Sequence, residues 1–207
     1  MKKLLLSVAL LTAAGASQAA GMDYDRFELQ WDQLDTDNQF AAGYAGATAP
    51  GETLDAFGLL YANRLRDNFL VEARYWSADG DGVVSNQAYT SDMKQISFGG
   101  GYIYDVTETQ AVDLQGHIGR MQYSRSNLDE YRSNFIGASS TYRVKLTRSF
   151  EFNAGLRYSQ FSDERFADEL TASVGLDYRF GKGMTIGASY NQHQDSNSTS
   201  IRLRILL

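Results

Sequence analysis

Cysteine is absent from the 207-residue chain, and proline occurs once. Without cysteine there is no disulfide framework, no thiolate metal site and no lipid attachment to an N-terminal cysteine. Histidine occurs twice, which confines any histidine chemistry to His117 and His193. Basic residues are in deficit, with 19 Lys and Arg against 25 Asp and Glu, a formal charge of −6. They gather in no basic patch, which excludes nucleic-acid binding, because phosphate contacts need clustered Lys and Arg. After Ala19 no run of about 18 apolar residues occurs, so no transmembrane helix is available. A membrane is not excluded by this, since a barrel strand needs only about ten tilted residues with every second one apolar.

The N-terminus carries the clearest local signal. Lys2 and Lys3 precede an apolar stretch from Leu4 to Ala14, followed by Ser17-Gln18-Ala19. A positive start, a short apolar core and small residues at the positions a signal peptidase reads define a secretory signal peptide. The stretch is too short for a membrane anchor. The expected organisation is a signal peptide over 1–19, cleaved after Ala19, and one domain over 20–207. Cleavage removes two lysines and takes the formal charge from −6 to −8.

Strict apolar/polar alternation marks a strand with one face in each of two media. It recurs about ten times. Phe27, Leu29 and Trp31 alternate with Arg26, Glu28 and Gln30. Phe57, Leu59 and Tyr61 alternate with Ala56, Gly58 and Ala62. Phe69, Val71, Ala73 and Tyr75 oppose Glu72 and Arg74. Ile96, Phe98, Tyr102 and Tyr104 oppose Gln95, Ser97, Gly99 and Gly101. Val112, Leu114 and Ile118 oppose Asp113, Gln115 and His117. Ile136, Ala138, Tyr142 and Val144 oppose Gly137, Ser139, Thr141, Arg143 and Lys145. Phe152, Ala154, Leu156 and Tyr158 oppose Glu151, Asn153, Gly155 and Arg157. Leu170, Ala172, Val174, Leu176, Tyr178 and Phe180 oppose Thr171, Ser173, Gly175, Asp177 and Arg179. Ile186, Ala188 and Tyr190 oppose Thr185, Gly187 and Ser189, and Ile201, Leu203, Ile205 and Leu207 oppose Arg202 and Arg204.

Short connections (Leu65 to Asn68, Asp105 to Thr109, Thr147 to Ser149, Gly181 to Gly183) alternate with longer polar ones. The longer ones run from Gln33 to Thr53, Asp79 to Asp92, Gln122 to Ser133, Ser162 to Glu169 and His193 to Asn197. Short turns at one rim and long loops at the other are the asymmetry of an outer-membrane barrel. Pro50 falls in the first long connection, where no ladder hydrogen bond is lost.

A soluble ligand-carrying barrel also alternates, with its apolar face inward. Here the polar face mixes both charge signs with many glycines, which suits a narrow lumen and would only weaken strands on a solvated outer face. Aromatic residues collect at segment ends, as amphipathic rings do at membrane interfaces. Tyr75, Tyr104, Tyr142, Tyr158, Tyr178, Phe180 and Tyr190 are the expected girdle. The fold class expected is therefore all-β, an antiparallel up-and-down transmembrane barrel of about ten strands, with eight as the alternative.

On these segments the chain resembles the small outer-membrane β-barrel family that includes the OmpA transmembrane domain and porin-like barrels. The resemblance covers essentially residues 20–207. Ser173-Val174-Gly175-Leu176-Asp177-Tyr178-Arg179-Phe180 resembles that family's assembly signal, although the C-terminus, Ile205-Leu206-Leu207, lacks the usual terminal aromatic. The resemblance implies a Gram-negative outer-membrane location, with membrane lipid and lipopolysaccharide as surroundings. It also implies the barrel-assembly machinery as a partner during insertion.

The lumen is expected to hold Glu28, Glu72, Arg74, Asp113, Arg143, Lys145, Glu151, Arg157, Asp177, Arg179, Arg202 and Arg204 as a charged network, with Arg26 beside them. Opposite charges confined there should pair, because a lone buried charge costs several kcal/mol. The long connections are acidic, carrying Asp35, Asp37, Glu52, Asp79, Asp81, Asp92, Asp129, Glu130, Asp163, Glu164, Asp168, Glu169 and Asp195. Such a rim can share divalent cations with lipopolysaccharide phosphates. Its densest spot, Asp79-Gly80-Asp81-Gly82, lacks the remaining ligands of an EF-hand loop. His117 is expected as a satisfied interior histidine. His193, with Asp195, Asp79 and Asp81, resembles the outer-rim site of omptin proteases, but this chain is far shorter. No catalytic site and no cofactor are expected. The expected function is a structural or surface-interaction barrel with a narrow or plugged charged lumen. A small channel for ions or solutes is the alternative, and a rim protease the second.

Overall fold

The computed structural model describes residues 24–36, 53–65, 68–84, 87–126, 128–181, 183–194 and 196–207. The signal peptide expected over 1–19, Pro50, Asp37, Glu52 and Asp195 lie outside the described residues, as does the side chain of Asp129. Ten strands follow one another: β1 (Arg26–Thr36), β2 (Thr53–Arg64), β3 (Phe69–Val84), β4 (Gln87–Thr107), β5 (Gln110–Arg125), β6 (Leu128–Lys145), β7 (Phe150–Phe161), β8 (Glu169–Phe180), β9 (Met184–Gln192) and β10 (Ser196–Leu206). Each pairs antiparallel with its chain neighbours, and β1 pairs β10 from Arg26↔Leu206 to Thr36↔Ser196. The barrel is closed with ten strands, which rules out the eight-strand alternative.

The alternation decides which face is which. Ile118, Phe98, Ile136, Leu156 and Ile201 are exposed on the outside, while Glu28, Asp113, Asp177, Arg202 and Arg204 are buried inside. A slip of one residue in any pair would turn an entire strand inside out, so the two media fix the register. Tyr24, Leu207 and the short connections share one rim, the turn rim. There Gly181 takes φ 71°, a left-handed conformation that suits glycine, in the three-residue link between β8 and β9.

Two expected long loops are mostly strand. β3 and β4 remain paired up to Val84↔Gln87, and β5 and β6 up to Arg125↔Leu128. The polar composition of these stretches suggests loops. Their alternation continues with the same positions facing in, but polar and apolar residues trade sides. Asp79, Asp81, Asp92 and Lys94 point outward, and Ala78, Met93, Met121, Tyr123 and Phe135 point inward. A tilted strand crosses a bilayer in about 9–11 residues, so β4, with 21 residues, extends well past the apolar belt. Beyond the belt the outer face meets water and the apolar side chains gather inside. The wall is uneven, since β9 has only 9 residues.

Candidate functional site

The lumen collects the polar side chains of all ten strands. Nearest the turn rim, Tyr24 enters it just before β1. Its hydroxyl donates to Asp113 Oδ1 at 2.7 Å, and the Arg143 guanidinium lies 4.7 Å from its ring centre. Asp25 fixes this entry, accepting from the backbone N–H of Arg64 on its Oδ1 (2.6 Å) and from that of Leu207 on its carbonyl (3.0 Å). Leu60, Ala62, Leu70, Ile103 and Ala111 pack around Tyr24.

Above this cluster an ion-pair network runs round the wall from β1 through β10 and β8 to β6. Arg204 donates to Glu28 (2.5 Å) and to Asp177 (2.9 Å). Arg202 grips Asp177 with Nε and Nη2 (2.8 and 3.1 Å), and Asn153 Nδ2 donates to the same carboxylate (2.7 Å). Arg143 closes on Glu151 at 2.6 and 2.8 Å, and Arg26 lies 3.8 Å from Glu28. Arg202↔Gly187 and Asp177↔Gly187 are register partners, so Gly187 stands between the two charges. A Cβ at that position would collide with Asp177 Oδ1. Glycine there is what lets the carboxylate lie across β9 and meet the guanidinium.

Of the twelve residues expected in this network, Glu28, Arg143, Glu151, Asp177, Arg202 and Arg204 come together. Asp113 belongs to the Tyr24 cluster. Glu72 and Arg74 pair with each other on β3 at 3.2 Å, and Arg157 lines the same cavity from β7. Lys145 and Arg179 lie by the turn rim around a smaller cavity of about 30 Å³. The expected girdle residues Tyr75, Tyr104, Tyr158, Tyr178, Phe180 and Tyr190 are exposed on the outside, and Tyr142 is half-buried.

At the loop rim the interior is apolar on one side. Leu34, Leu54, Ala56, Ala78, Met93, Met121, Tyr123 and Phe135 form a cluster with Phe166, which comes from the connection between β7 and β8. Phe166 stacks on Phe161 at 5.5 Å, and Phe161 lies 5.4 Å from Phe135. Asp163 and Arg165 brace that connection with contacts of 2.5 to 3.2 Å, and this side-chain bonding holds the Asp163 carboxyl down to about 2. Trp76 Nε1 donates to Asp32 at 2.8 Å. His117 turns inward, 3.4 Å from Ser159 Oγ and against Phe135. His193 also turns into the lumen, 2.5 Å from Glu169. Asp79 and Asp81 point outward from β3, level with Asp92 and Thr90 of β4, so they do not oppose His193 across the mouth. Among the described residues no cluster of three His, Asp or Glu side chains is placed to hold a metal.

Between the two ends lies a cavity of about 280 Å³. Its lining includes Arg26, Glu72, Arg74, His117, Arg157 and Glu169 as well as Leu34, Trp76, Met93 and Met121. Sequence alternation gives no chemical role to Tyr24, Trp76, Ser198 or the loop-end residues Leu34, Met93, Met121, Tyr123 and Phe135, although all keep the inward parity of β1 or of their own strands.

A closed antiparallel barrel with an apolar, aromatic-bearing exterior and a charged interior is an outer-membrane β-barrel. The chain belongs to the family described as "Protein of unknown function, DUF481", which matches residues 20–200. No curated protein matches it. Among solved structures it is similar to the β domain of the Bordetella autotransporter BrkA, with 11% identity, 89% of this chain and 99% of that chain covered, and TM-score 0.56. The transport unit of the autotransporter AIDA-I from Escherichia coli has 10% identity, 97% and 96% coverage, and TM-score 0.50. The KdgM porin in complex with disordered oligogalacturonate has 9% identity, 88% and 99% coverage, and TM-score 0.47. At such identities the likeness is one of fold.

Proposed function

We propose that this barrel serves the envelope as a wall element with a lumen filled by its own side chains, and that it contacts its surroundings through the loop rim. The observation that carries this reading is the Asp177 carboxylate, 1% exposed and held by Arg202, Arg204 and Asn153. Groups committed to one another in this way rigidify an interior and fill part of its cross-section, which supports the reading. The Tyr24 cluster below and the Phe166 cluster above support the same reading. A partly open cavity of about 280 Å³ remains between them.

At the loop rim Asp55, Asp79 and Asp92 form one outward row across β2, β3 and β4. In our reading they face lipopolysaccharide phosphates and share divalent cations with them. The mature chain refolded into proteoliposomes tests the reading. Vesicles placed in an isotonic solution of a small sugar should swell no faster than protein-free vesicles. Swelling that scales with the amount of folded protein would make the barrel a diffusion channel instead.

A further inference from the structure

Three polar side chains at the loop end of the lumen stand apart from the arginine network. Glu169 opens β8, His193 follows β9 and Ser198 lies on β10. His193 Nδ1 is 2.5 Å from Glu169 Oε1 and 3.0 Å from Thr171 Oγ1, and Thr171 Oγ1 donates to the same Glu169 oxygen at 3.4 Å. A carboxylate only accepts, so Nδ1 carries the hydrogen and Nε2 is left as the acceptor. Nε2 faces Ser198 Oγ at 3.5 Å. This is the order of a nucleophile, a base and a group that orients the base. The outer distance is long for a hydrogen bond, as such contacts often are before substrate binds. Asn191 Nδ2 is 3.0 Å from Ser198 Oγ, which sets an amide donor beside the nucleophile.

All four groups line the cavity of about 280 Å³, and its other side offers Leu34, Trp76, Met93 and Met121. Polar machinery faces an apolar wall across a space just under the roughly 300–1,000 Å³ of pockets that hold drug-sized ligands. β9 and β10 are the shortest part of the wall beside this group, with 9 and 11 residues.

We propose that Ser198, His193 and Glu169 form a hydrolytic site for esters of short apolar acyl groups that enter at the loop rim. Ser198 Oγ gives its proton to His193 Nε2 and bonds to the ester carbonyl carbon. The carbonyl π pair moves to oxygen, which accepts from Asn191 Nδ2. Collapse expels the alcohol oxygen, which takes the proton from Nε2 and leaves Ser198 acylated. Water then repeats the sequence, its proton passing to Nε2 and back to Ser198 Oγ as the acid departs. The sum is ester plus water to acid plus alcohol. Glu169 stays ionised and acts as a positioning residue, holding the ring in the tautomer that leaves Nε2 free.

The test uses the full mature chain, refolded in detergent and checked by its heat-shifted gel mobility. An alkyl fluorophosphonate probe should label Ser198, located by peptide mass spectrometry, and should spare Ser196 and Ser200. Labelling should vanish in Ser198→Ala and persist in Ser196→Ala. Hydrolysis of p-nitrophenyl butyrate should fall at least about a hundred-fold in His193→Ala, the low end of what a positioned general base contributes. Glu169→Gln should lower kcat and leave KM in place. If a variant at His193 or Glu169 does not fold, wild type against Ser198→Ala decides alone. Folded wild-type protein that takes no label, and hydrolyses the ester no faster than Ser198→Ala, overturns the proposal. That result leaves the filled-lumen reading standing, because swelling tests it separately.

Discussion

Replacing Asp177 by asparagine removes one negative charge and keeps the side chain's size. The carboxylate accepts from Arg202 Nε and Nη2, Arg204 Nη1 and Asn153 Nδ2 at 2.7 to 3.1 Å, and it is 1% exposed. In Asp177→Asn one oxygen remains to accept, while the new amide N–H₂ points at groups that can only donate. Breaking a buried ion pair by removing one partner costs about 3–5 kcal/mol. Arg204 keeps Glu28 as a partner at 2.5 Å, so the lower end, about 3 kcal/mol, applies. The assay is urea unfolding of the refolded barrel in vesicles, followed by tryptophan fluorescence. With a slope of about 1–3 kcal/mol/M, the midpoint should fall by about 1–3 M. The double variant with Arg202→Gln should lose much less than the sum of the two single losses, since both remove the same pair. An Asp177→Asn barrel within about 0.5 kcal/mol of wild type, the range of ordinary surface substitutions, would refute the reasoning. It would mean that lumen water already screens these charges.

Gly187→Ala should destabilise by a similar route, because the new methyl collides with Asp177 Oδ1. Its effect should shrink in an Asp177→Ala background, where the colliding carboxylate is gone, and a four-variant unfolding cycle would read this. Ile118, mid-strand and 62% exposed on the outer face, should cost about 2–4 kcal/mol as Ile118→Arg if that face meets lipid, and close to nothing if it meets water. Trp76→Phe removes one of the two donors to Asp32 and leaves Gln30 Nε2 at 2.6 Å, so stability should fall by about 1 kcal/mol, the low end for an acceptor that loses a hydrogen bond. The Asp163 carboxyl should titrate at about 2 instead of the ordinary 3.8, held down by Arg165. Its folded value is depressed, so the loop contact is complete above the ordinary value and is lost as pH falls through about 2. NMR of the folded barrel reads the midpoint, and Arg165→Ala should return it toward 3.8.

Fold and strand count are legible because each strand separates two media, and a period of two then appears in the sequence. The Asp79–Asp92 and Gln122–Ser133 stretches are harder, because beyond the bilayer the same positions still face in while polar and apolar residues trade sides. There Met93 and Tyr123 turn inward and Asp79 and Asp92 outward, so composition resembles a loop while the period persists. Extending the even-numbered inward parity of Glu28 back to Tyr24 and forward to Leu34 would have found both. The partners within the lumen were not legible. Asp177 reaches Arg202 because Gly187 between them has no side chain, and that depends on barrel register. Glu169, His193 and Ser198 lie on three strand ends, and only the pairing of β8, β9 and β10 brings them within reach of one another.

In our reading this outer-membrane barrel fills its own lumen. Single-channel recording of the refolded mature chain in a planar bilayer tests it most directly, after gel mobility has shown the protein to be folded. A filled lumen predicts a silent bilayer across the voltage range that the membrane tolerates. Discrete, reproducible ohmic steps that scale with added protein would contradict it and make Arg202 and Arg204 the lining of a pore.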